Sequence, residues 1–159
     1  MDYLTLKWLH VLSSAVLFGT GVGSAFYLVL AAASREPRAI AVVSRFVVIT
    51  DWLFIATTAV FQPASGFWLM HMAGMPASTP WIRTSLVLYA FAIACWLPVV
   101  WIQLKLRDLS AGALAHRTPL ARTWWRLFTW WVVLGVAAFA AFLAIFHLMV
   151  AKRLPFTGA

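Results

Sequence analysis

The chain is organised as four long apolar runs, residues 4–33, 40–72, 81–106 and 124–150, parted by short stretches that hold most of its charge. A helix needs about 20 apolar residues to cross the hydrocarbon of a bilayer, and lipid offers no partner to an open backbone. Runs of this length therefore predict an all-α polytopic membrane protein, an antiparallel bundle of four transmembrane helices forming one domain over residues 1–159. Composition agrees, with 64% hydrophobic and 10% charged residues, where a soluble domain carries about 25% charged. Nothing is left over for a soluble domain.

The breaks between runs have local causes. Residues 34–38 read Ser-Arg-Glu-Pro-Arg, and Pro37 disfavours helical geometry in the residue before it. The turn at 73–80 has two prolines, one glycine and no charge, which suits a short link between antiparallel helices. Residues 105–123 form the longest polar stretch and are expected to be a loop. Pro63, beside Gln62, removes a backbone donor in mid-membrane and predicts a kink. The uncharged run from Trp8 to Ala33 exceeds the about 7–15 apolar residues of a signal core, so it is expected to be a membrane span. The one cysteine, Cys95, is expected to pack in the interior and cannot form an intramolecular disulfide.

The net charge of +8 comes from Lys and Arg that bracket apolar runs rather than form a nucleic-acid surface, so no nucleic-acid partner is expected. Eight lie on one side (Arg35, Arg38, Arg45, Lys105, Arg107, Arg117, Arg122, Arg126) and four on the other (Lys7, Arg83, Lys152, Arg153). Because cytoplasmic loops are enriched in these residues, both termini are expected on the outer, periplasmic side of a bacterial inner membrane. Tryptophans mark the interfaces: Trp8, Trp68 and Trp81 outside, and Trp52, Trp101, Trp124 and Trp125 inside. Asp51 then falls at the inner boundary, where Arg126 or Arg122 is its expected partner.

In that topology His10, His71 and His147 all fall about one turn inside the outer boundary, with His116 alone in the inner connection. A histidine within a span is costly without a partner and marks a functional site by default. Two histidines on facing helices can fill both axial positions of haem b between apolar walls. His10 is the expected first ligand and His71 the second, with His147 as the alternative. Helical spacing places Ser14 and Gly21 on the His10 face, leaving room for a flat ligand, while Arg83 is placed to meet the haem propionates. The opposite face repeats Ala15, Gly19 and Gly23, a small-residue pattern for close helix packing. The function expected is a haem-binding protein of the inner membrane that passes electrons, with quinol or another membrane redox protein as partner.

Two other readings remain open. Met70, Met72 and Met75 flank His71, and thioethers favour copper, but consecutive helical residues point about 100° apart and would have to unwind to share an ion. A cofactor-free accessory subunit, packing through its small-residue faces in an oligomer or larger complex, is the third. Catalysis by side chains alone is not expected, because no carboxylate pair, nucleophile–base arrangement or phosphate loop is present.

The stretches LKWLHVL, DWLF, FQPASGFWLM, ACWLPVVWIQLKLRDL and LAIFHLMVAK, in this order along nearly the whole chain, resemble the bacterial integral membrane proteins of domain of unknown function 2269. More distantly the layout is similar to four-helix haem-binding protoporphyrinogen oxidases and copper-resistance D proteins. The shared points are an early histidine (His10), a proline in the second helix (Pro63) and a third helix opening on tryptophan (Trp81). That likeness implies a haem or copper site. The oxidases have His and Lys early in the third helix where this chain has Arg83 and Ser85, and a later histidine where it reads Cys95-Trp96.

Overall fold

Residues 1–152 are described in the computed structural model. All regular structure among them is helical: α1 (Tyr3–Ser34), α2 (Pro37–Thr50), a π-helical turn (Asp51–Ile55), α3 (Ala56–Met72), α4 (Pro80–His116) and α5 (Arg122–Ala151). The second span is α2, the π-turn and α3 in continuous succession, so four helices of 32, 36, 37 and 30 residues are long and apolar enough to cross a membrane. At about 1.5 Å per residue these reach roughly 45–55 Å, beyond the ~30 Å of hydrocarbon, so their ends stand in the headgroup layers.

Helix ends follow local chemistry. The Asp2 side chain accepts from the Thr5 backbone N–H at 3.3 Å to start α1. Hydrogen bonding to Thr5 holds this carboxyl below its usual range. Pro37 occupies the first turn of α2, where a missing N–H costs nothing. Arg35, Arg117 and Lys152 adopt left-handed backbone at φ 55°, 52° and 52°, ending α1, α4 and α5 with a cation near the negative end of each helix dipole.

The expected loop at 105–123 is mostly helix. α4 continues to His116 rather than stopping near Leu106 because Leu106, Ser110 and Ala113 face inward while Lys105 and Asp108 face out. The true turn is confined to residues 117–121. Polarity along this stretch reports one wet face, not a broken helix.

The main core gathers in the half of the bundle nearer the α1–α2 and α4–α5 turns, where Leu28, Ile40, Val47, Ile102 and Leu106 from α1, α2 and α4 meet Trp124 and Trp131 of α5. Trp124 is no interfacial anchor: it is fully buried, and its indole N–H lies 2.8 Å from Ser110 Oγ and 3.2 Å from the Leu106 carbonyl. Phe128 stacks on it at 5.2 Å and on Trp131 at 5.9 Å. Cys95 is buried as expected.

The half nearer the α3–α4 turn is held differently. Pro63 has no N–H for the carbonyl of Ala59, and the Tyr89 hydroxyl of α4 donates to that oxygen instead. α1 touches α5 through Phe18, stacked on Phe139 and edge-on to Phe146, each at 5.2 Å. The Ala15–Gly19–Gly23 face does not pack within the chain, since side chains built on Gly19 or Gly23 would meet nothing within 4 Å.

Tyr89→Phe, which strands the Ala59 carbonyl in a waterless interior, is expected to lower stability by about 1–3 kcal/mol. Trp124→Ala should cost more, about 3–5 kcal/mol, through the lost aromatic volume. Unfolding by SDS in mixed micelles measures both.

Candidate functional site

Between α1 and α3 runs a small polar zipper. His10 Nδ1 lies 2.7 Å from Ser65 Oγ, and Ser65 Oγ lies 2.7 Å from the Phe61 carbonyl. A hydroxyl has one proton, and Ser65 has two backbone carbonyls, of Phe61 and Gln62, to give it to. This assigns the Nδ1 proton to His10, leaving Nε2 as the bare lone-pair nitrogen. The Gln62 amide donates to the His10 carbonyl at 3.0 Å and to Ser14 Oγ at 3.2 Å, and Ser14 donates to the same carbonyl at 2.7 Å. The His10 ring lies close against Gly66, where a Cβ would sit in ordinary contact 3.5 Å from His10 Cε1 and a larger side chain would collide with the ring.

The other sequence-derived site residues are not drawn into this cluster. His10 is level with Ser65, so His71, six residues on, lies about 9 Å farther toward the helix end. His71, His147 and Arg83 are exposed on the outside of their helices, while Ser14 is spent on the zipper and Gly21 lines a separate cavity. Met70 and Met72 stay in the last turn of α3, and the Met75 N–H closes on the Met70 carbonyl at 3.0 Å, so the Met-His-Met stretch is not unwound. Among the described residues no three His, Cys, Asp or Glu side chains are grouped to hold a metal ion. For haem b, His10 offers one nitrogen with the right lone pair, and no second imidazole faces it.

A different constellation lies one level deeper. Asp51 opens the π-turn and is 2% exposed, its Oδ1 accepting from the Trp96 indole N–H at 3.3 Å with Gln103 against the same carboxyl. Among the described residues its Oδ2 has no partner, nor do the buried N–H of Trp131 and, away from this cluster, the hydroxyls of Ser13 and Ser44. The ion pair expected with Arg126 or Arg122 is not formed. Both arginines are exposed near the start of α5, and the one salt bridge among the described residues joins Arg107 to Asp108 at 2.7 Å.

Asp51, Trp96, Gln103 and Trp131 border one cavity of about 320 Å³ between α1 and α5, otherwise walled by apolar side chains such as Phe18, Ile55 and Phe142. It exists because Gly21 and Gly135 leave space: a Cβ on Gly21 would touch only Ile55 at 3.9 Å, and one on Gly135 nothing within 4 Å. Sequence reasoning took the Asp51 carboxyl for a boundary residue. The signal available was an acid inside an apolar run, which by itself marks an intramembrane site.

Ser65→Ala, which leaves the His10 N–H unmatched, is expected to destabilise the protein by about 1–3 kcal/mol. Gly66→Ala should be nearly neutral and Gly66→Leu should displace the ring. Thermal unfolding in detergent ranks the three.

No curated protein and no solved structure matches the chain. A family model does: the one described as "Predicted integral membrane protein (DUF2269)" matches residues 4–153. With its four spans matched from end to end, the chain belongs to this family of integral membrane proteins.

Proposed function

We propose that this integral membrane protein binds a lipid-soluble small molecule in the cavity between α1 and α5. The observation that carries the reading is a cavity of about 320 Å³ whose apolar walls meet a buried carboxyl and a buried indole N–H, both short of partners. Ligand pockets are commonly of about 300–1,000 Å³ and apolar, with a few polar groups that set orientation. The bilayer supplies the ligand sideways, because Phe26, Val29 and Val136 on the cavity rim are exposed at the helix surfaces.

A second reading, haem b with electron transfer to quinol or a membrane partner, is supported by His10 alone. Its free Nε2 is the atom an iron would take, and Ser65 would hold the ring in that tautomer. His71 and His147 are exposed and outside the His10 cluster, so the second axial position would need another group.

The excess of Lys and Arg at the α1–α2 and α4–α5 turns supports placing these turns in the cytoplasm, with both termini on the periplasmic side of an inner membrane. A reporter that is active only in the periplasm should be active when fused after Lys152 and silent when inserted after Arg117.

Protein purified in mild detergent tests both ligand readings at once. Mass spectrometry of the organic extract should show a retained lipid-soluble compound, lost in Gly135→Phe, which projects a ring into the cavity while the helical circular dichroism is kept. An extract without any such compound from either protein would overturn the cavity reading and leave the accessory-subunit role. An iron-dependent Soret band that disappears in His10→Ala would establish the haem reading, and its absence after expression with haem supply would remove it.

A further inference from the structure

We infer that the cavity recognises the head group of a lipid-soluble quinone, a flat ring with oxygen substituents and an apolar tail; this rests on the ligand-binding reading of the cavity. Two polar atoms at its border have no partner, Asp51 Oδ2 and Trp131 Nε1, in side chains 2% and 5% exposed. A buried polar group left unmatched costs about 1–3 kcal/mol, so two of them in one wall ask for a bound molecule.

Their chemistry narrows what that molecule is. An indole N–H only donates, so Trp131 needs an acceptor, whereas the Asp51 carboxyl can accept or donate and pairs with a second oxygen in either role. A lipophilic ammonium has no acceptor for Trp131. A phosphate or fatty carboxylate would bring negative charge against a carboxyl in a wall whose described lining residues include no Lys or Arg. A plain hydrocarbon tail matches neither group. A quinone ring, oxidised or reduced, carries two oxygens on a flat aromatic-sized frame.

The walls fit that frame. Phe18, Phe139 and Phe142 face the cavity from α1 and α5, with Trp96 on α4 and Trp131 beyond, surfaces on which a planar ring can stack. An isoprenoid tail has a way out to lipid between Val22 and Phe26 on one side and Val136 on the other, all of them exposed. The carboxyl sits on the π-turn, where the helical ladder is locally widened, a feature often found at functional sites.

The test needs only the purified full chain in detergent and two compounds of like shape: decyl-benzoquinone and decylbenzene, which has the tail and ring without the oxygens. Calorimetric titration should show the quinone binding about tenfold or more tightly than the hydrocarbon, as one or two buried hydrogen bonds imply. Asp51→Leu and Trp131→Phe should each shrink that preference, the ratio of the two affinities, by about three- to tenfold. Equal binding of the two compounds by the native chain, a comparison that depends on no variant, overturns the quinone assignment while the cavity reading stands. Persistence of the full preference in both variants overturns it as well. If neither compound binds, the quinone falls, and the cavity reading falls with it only when the native protein also carries no ligand sensitive to Gly135→Phe.

Discussion

A bilayer interior has no water to complete an unfinished hydrogen bond, and this single constraint explains most of what the polar side chains do here. Pro63 opens the ladder of the second span, and Tyr89 reaches across from α4 to close it on the Ala59 carbonyl. The first span is tied to the second by hydrogen bonds among His10, Ser14, Gln62 and Ser65. Trp124 brings its large ring into the main core with its N–H taken by Ser110 and the Leu106 carbonyl. Helix association in lipid gains little from the hydrophobic effect, so such matched pairs and close small-residue packing carry it.

Against that background the unmatched atoms of the cavity wall stand out. Among the described residues four buried side-chain atoms lack a partner, Ser13 Oγ, Ser44 Oγ, Asp51 Oδ2 and Trp131 Nε1, and the last two border the same cavity. The pattern separates two kinds of intramembrane polar residue. His10, whose Nδ1 and backbone carbonyl are bonded, serves the joint between α1 and α3 whatever else its free Nε2 does. Asp51 is only half satisfied, and is positioned by Trp96 rather than neutralised by an arginine. A carboxyl held by a neutral donor is available to a ligand in a way that one locked in an ion pair is not.

How much of this was legible in the sequence differs from feature to feature. The four spans, their order and the turns at 34–37 and 73–79 could be read because length, charge and proline act locally, on the residue that bears them. The α4 extension past Leu106 was missed because its polar residues lie on one wet face of an unbroken helix. Trp124 could not be told from the interfacial tryptophans around it, since an indole N–H is content with a headgroup or with a serine. Depth along a span was legible only to within about two turns, since His71 lies about 9 Å beyond the level of His10, and three histidines were grouped that are not gathered into one site.

The amino-acid sequence by itself therefore determined that this protein is a four-helix membrane protein, and where along each helix its polar groups fall. Only the tertiary structure decided which of them meet. The reason is physical: a helix in water announces its buried face by a stripe of apolar residues, but these spans are apolar nearly all round. Helical spacing still tells which residues share a face, so Ser14 and Gly21 could be placed with His10. It cannot tell which face turns inward, and so it could not say that Asp51, Trp96 and Trp131, from three different spans, would come to border one cavity while His71 and His147 were left exposed.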